Sequence, residues 1–76
     1  MTPAQILAAL KLAEGLIPGG NYLQLALDLF GAATAAYTAI KGDLSADDQA
    51  AVDAAVATSG AALDTARAQL DKDAAG

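Results

Sequence analysis

The stretch LQLALDLFGAATAAYTAI, Leu23 to Ile40, can be read with two periods, and the choice between them decides the fold. Leu23, Leu25, Leu27 and Leu29 alternate with Gln24, Ala26 and Asp28, which is the period of a half-buried strand. Leu, Ala, Gln and Asp are poor strand formers, however, and no second segment offers such a strand a pairing partner. Read as a helix, the same stretch puts Gln24, Asp28, Gly31, Thr34, Thr38 and Lys41 on one narrow stripe and leaves the remaining circumference apolar. The sequence therefore predicts a helix over 22–41. Asn21 is its expected N-cap, with Gln24 completing a capping box, and Lys41 in the last turn with Gly42 at C′ closes it.

Working outward, Thr2 is a cap and Pro3 a suitable N1 residue for a first helix over 3–17. Ile6, Leu10, Ala13 and Ile17 recur at spacings of four, three and four, and Leu7, Leu12 and Leu16 widen that face. Pro18-Gly19-Gly20 ends the run and supplies a turn. On the other side Ser45 caps a helix over 46–71, with Asp47 and Asp48 at the positive end of its dipole. Val52, Val56, Ser59, Leu63, Ala66 and Leu70 form a heptad-like seam along it, and Asp64, Arg67 and Asp71 are expected to pair on its wet face. Gly60 inside the seam marks a bend or a close contact. Residues 72–76 are expected to fray.

Charge divides the chain near Gly42. Residues 1–42 carry Glu14 and Asp28 against Lys11 and Lys41, a balance of zero. Residues 43–76 carry seven acids against Arg67 and Lys72, so the whole formal charge of −5 lies there. The expected organisation is a single small helical domain over 1–76, with an apolar helical pair over 1–42, an acidic, Ala-rich helix over 43–71, and a tail over 72–76. Hydrophobic residues make up 55% of the chain and aromatics only 4%, so much of the apolar surface is alanine and a core closed within one chain is thin. The second helix has more apolar circumference than its two neighbours cover, which points to self-association or docking.

Several chemistries are excluded on composition. There is no His to serve as general base or metal ligand and no Cys for thiolate or disulfide chemistry. Four scattered bases are too few for a nucleic-acid surface. Asp43, Ser45 and Asp47 begin like a calcium loop, but Asp48 stands where that loop needs Gly and Ala54 where it needs a bidentate Glu. Asp43-Leu44-Ser45 has the letters of a carrier-protein attachment motif in the wrong order. Gly19-Gly20 lacks the Lys and Ser or Thr of a phosphate loop. Glu14 and Asp28 are read as surface or cap carboxylates. No catalytic residue, cofactor or metal site is expected.

A membrane role can be weighed numerically. Over Leu23 to Ile40 the four Leu, one Phe and one Ile contribute about −3 kcal/mol to insertion, and Asp28 alone returns up to about +3. The sum is near zero, and no basic flank or Trp belt fixes an orientation. Met1 is followed by no basic segment of the kind that opens a signal peptide, so cytoplasmic synthesis is expected.

An apolar front followed by a polar turn and an Asp- and Ala-rich helix, here Leu44-Ser45-Ala46-Asp47-Asp48 and then Ser59-Gly60-Ala61-Ala62-Leu63-Asp64, resembles small uncharacterised helical proteins encoded by tailed phages. The resemblance is one of composition and carries no functional residue with it. It implies a phage origin, with virion assembly or lysis as contexts and the virion or host cytoplasm as locations.

The expectation is thus an all-α chain of three helices, the second and third forming an antiparallel hairpin, completed by association with copies of itself or with a larger assembly. The expected interface comprises Leu23, Leu27, Phe30, Gly31, Ala35, Tyr37, Val52, Val56, Leu63 and Leu70. The function expected is structural or accessory, most simply in a phage particle. A holin-type membrane protein and an acidic inhibitor of a host protein are the alternatives.

Overall fold

Thr2 opens the first helix of the computed structural model, which describes residues 2–18 and 21–75. Its Oγ1 accepts from the Gln5 backbone N–H at 3.2 Å while Gln5 Oε1 accepts from the Thr2 N–H at 2.8 Å, a full capping box, and Pro3 follows at N1. Helix α1 spans Pro3–Leu16, α2 spans Leu23–Ile40 and α3 spans Ala46–Ala75, with no strand among the described residues. The chain is all-α, and the strand reading of 23–29 is set aside. Gly19 and Gly20 of the expected turn lie outside the described residues, as do Met1 and Gly76.

Both ends of α2 differ from the expectation. Tyr22 rather than Asn21 is the N-cap and makes no side-chain capping bond, because Gln24 directs its amide forward to Asp28 Oδ1 at 3.0 Å. At the other end α2 stops at Ile40, and Gly42 does not take the left-handed conformation of a C′ glycine. The chain instead tightens into a 3-10 turn, Lys41–Asp43, in which the Leu44 N–H donates to Lys41 O at 3.2 Å. Gln49 Nε2 then donates to Lys41 O at 3.0 Å and Leu44 O at 3.1 Å, tying the first turn of α3 back to the connection.

Ser45 caps α3 as expected, accepting from the Asp48 N–H at 3.1 Å. The helix does not end at 71, as the charge pattern suggested, but continues through Ala75. Alanine propensity, a Gln69 to Asp73 side-chain bond at 3.0 Å and Lys72 at the negative end of the dipole favour this extension. A 30-residue helix is about 45 Å long, and α3 sets the 46 Å length of a body 17 by 16 Å across.

The apolar faces meet in two clusters. One joins Ile6, Ala9 and Leu10 of α1 to Ala33 and Tyr37 of α2 and Val52 of α3. The other joins Ala13 to Leu23 and Ala26 of α2 and Leu63 of α3. Leu29 and Phe30 pack against both clusters. This order makes α2 antiparallel to α1 and α3, an up-down-up bundle in which α1 packs on the hairpin of α2 and α3.

Candidate functional site

Where α2 turns into α3, three side chains converge. The Tyr37 hydroxyl lies 2.7 Å from Asp53 Oδ1 and 3.2 Å from Gln49 O, and Lys41 Nζ stands 3.7 Å from Asp53 Oδ1 and 5.4 Å from the centre of the Tyr37 ring. Tyr37 reaches these partners because it sits four residues before Lys41, on the flank of α2 that faces α3. Desolvation within the bundle, the hydrogen bond to Asp53 and the Asp53 charge together push the Tyr37 phenol up to about 12. A phenol held protonated is a donor, not a nucleophile or base, at neutral pH. The Lys41–Asp53 pair is half exposed and contributes little by itself. The cluster is a clasp across the hairpin.

A second polar contact lies deeper. Ser59, fully buried in α3, has its Oγ 2.8 Å from Glu14 Oε1 and 3.4 Å from Leu10 O, so its single hydroxyl proton goes to the nearer carboxylate. It ties α3 to the middle of α1. The hydrogen bond holds α3 in one register against α1.

Surface grooves are shallow. One lies at the open end of the bundle between Asn21, Leu23, Gln24, Leu27, Arg67, Leu70 and Asp71, and its four polar side chains are all exposed. Among the described residues no group of acidic side chains is placed to hold a metal ion. Arg67 does not pair with Asp64 or Asp71; the ion pair that forms among the described residues is Lys41–Asp53.

The residues expected at an interface separate into three groups. Leu23, Tyr37, Val52 and Leu63 are buried in the chain's own core, with Leu27, Phe30 and Val56 half-buried against it. Leu70 remains 49% exposed at the open end. Gly31 and Ala35 face outward on the same sector as Gln24, Asp28 and Thr38, the wet stripe of α2. The expected interface leaves out three large apolar side chains that do stay exposed: Leu12 at 58%, Tyr22 at 58% and Leu25 at 53%. Leu25 was hidden by its place in a run of four alternating leucines, three of which turn inward.

Helix α2 with the turn after it, Leu23–Asp43, is long and apolar enough to cross a membrane, with a mean hydropathy of 1.3 and 22% of the window buried inside the bundle. Compared with protein-family models, with curated proteins and with solved structures, the chain matches none.

Proposed function

We propose that the chain is a non-catalytic helical building block that associates with copies of itself or docks on a larger protein assembly. The observation that supports this is the set of large apolar side chains, Leu12, Tyr22, Leu25 and Leu70, left about half exposed on a 76-residue bundle. A folded chain of this mass exposes about 4,200 Å² by general scaling, and this one exposes 4709 Å², which adds to what association would cover. A phage particle as the setting rests on the compositional resemblance alone.

The experiment is light scattering coupled to size exclusion, with loading concentrations up to about 1 mM and no detergent. A mass rising above 7.5 kDa with concentration supports the reading. A constant mass near 7.5 kDa overturns its self-association branch.

A second reading is favoured by α2 itself, whose length and hydropathy fit a span. In that reading α2 leaves the bundle and inserts. Asp28 lies on its wet stripe and is the main obstacle. Asp28→Leu then raises retention in alkaline carbonate pellets. Release of both proteins into the supernatant removes the membrane reading.

A further inference from the structure

Helix α2 carries a second stripe, separate from the wet one, at the edge of its core-facing side, where Leu29 and Ala36 pack partly against the chain's own core and Leu25 and Ala32 do not. Leu25, Leu29, Ala32 and Ala36 recur at spacings of four, three and four, so they line up along one side of the helix. Leu25 and Ala32 are exposed, and Leu29 and Ala36 half-buried. This side lies away from α3, because the flank that meets α3 is the one carrying Tyr37, bonded to Asp53, and Phe30, packed beside Gly60. Its exposed residues face outward beside α1. There Leu12, 58% exposed, stands on the flank of α1 opposite Glu14, which reaches Ser59.

We infer that this stripe pairs with its own copy, α2 against α2 of a second chain, antiparallel about a two-fold axis near the middle of the helix. This rests on the self-association reading and names its surface. In that single register Leu25 meets Ala36 of the partner subunit and Leu29 meets Ala32 of the partner subunit. Every layer sets a large side chain over a small one, which is how facing helices interdigitate, and the two-fold makes the contact closed.

Charge points to the same occupant. The stripe and Leu12 are uncharged, and the seven acids that give the chain its −5 charge lie at or beyond Asp43, on or next to α3. Apposing two α2 stripes therefore keeps the acidic helices on the outside, whereas contact through α3 brings them together. A bilayer is a poorer occupant, since an interfacial face needs a basic rim and this one has none on α2 before Lys41. The area is modest. The helix is about 27 Å long and two of the four stripe residues are already half-buried in their own chain, so the contact falls well below a standard interface and the dimer is reversible and concentration-dependent.

The test exploits the absence of Cys. A double variant, Leu25→Cys with Ala36→Cys, is oxidised beside each single variant. The two positions lie about 16 Å apart along one helix, beyond the reach of a disulfide, so a bond between them joins two chains. Rapid covalent dimer in the double variant, with little in either single one, is the expected result. Sedimentation of Leu25→Gln should show association weakened about tenfold or more with helicity unchanged, since an exposed side chain is replaced. If the wild type associates while Leu25→Gln matches it and cross-linking is unselective, the stripe is wrong and the self-association reading stands. If the wild type stays monomeric to about 1 mM, both fall. If the wild type instead pellets with neutral phosphatidylcholine vesicles and Leu25→Gln abolishes that, a bilayer replaces the second copy.

Discussion

The two ends of the bundle are held together differently. At the end where α2 turns into α3, Ile6, Leu10 and Val52 are fully buried, and the Tyr37–Asp53 and Gln49 bonds lock the connection above them. At the opposite end the core is Ala13, Leu23, Ala26 and Leu63, two of them alanines, with Tyr22 and Leu70 half exposed beside it. Among the described residues no side-chain hydrogen bond crosses between helices beyond Ser59 toward that end. A short connection lets polar groups from adjacent turns find each other, and the far end has only apolar area, of which alanine supplies little. The bundle should open from the thin end.

The largest effect expected is at Leu63, the one large α3 side chain buried at that end. Leu63→Asp removes its burial and places a charge among Ala13, Leu23 and Ala26, at a cost of about 4 kcal/mol or more. For a 76-residue domain the total stability is roughly 4–11 kcal/mol, so the variant should be mostly unfolded. Asp64→Ala, one position along on the exposed side, should melt within about 4 °C of wild type. Equal melting shifts in the two would show that the thin end has no defined core.

Much of the helix layout was legible in the sequence. Thr2, Pro3, Ser45 and the Val52 to Ala66 spacing were enough to place two helices and the inward face of α3, because capping and periodicity are local; Leu70, the last residue of that seam, lies exposed. The Tyr37–Asp53 clasp was not, because it joins residues sixteen apart through the geometry of a 3-10 turn that no local pattern announces. The end of α3 was misplaced since a polar, charged segment reads as frayed until side-chain bonds such as Gln69 to Asp73 are counted. Tertiary placement also divided the expected interface. Periodicity identifies apolar faces but does not say whether a face meets its own chain or another.

At the clasped end the expected effects are smaller. Tyr37→Phe keeps the ring in the core and removes one charge-assisted bond, so it should lower stability by less than Leu63→Asp does, read from thermal or urea unfolding. The same phenol gives a pH signature. Its folded value of about 12 lies above the ordinary 10, so the native state binds this proton more tightly than the unfolded state. The stabilisation is fully present below pH 10 and is lost as pH rises through about 12. Wild type should therefore lose more stability than Tyr37→Phe between those limits. Parallel alkaline melting curves would exclude the clasp as a contributor.

The smallest effects separate the two interior glycines and sharpen the contrast between inward and outward faces. A Cβ at Gly60 would meet Phe30 Cζ at 3.5 Å, an ordinary contact, so Gly60→Ala gains helix propensity and a little burial and should stabilise by about 1 kcal/mol. Gly60→Leu has no such room and should destabilise. A Cβ at Gly31 would meet nothing within 4 Å. Gly31→Ala should thus gain only propensity, about 0.8–1.0 kcal/mol, and Gly31→Leu should be tolerated within the chain. Gly31 was expected at a close crossing between subunits, where both substitutions would push a partner away. Its position on the sector of Gln24, Asp28 and Thr38 instead makes it a wet residue that an Leu25–Ala36 pairing never touches. Sedimentation of Gly31→Leu should match wild type at every concentration while Leu25→Gln does not. Weakened association in Gly31→Leu alone would move the contact to the wet stripe and reverse which outward face of α2 is sticky.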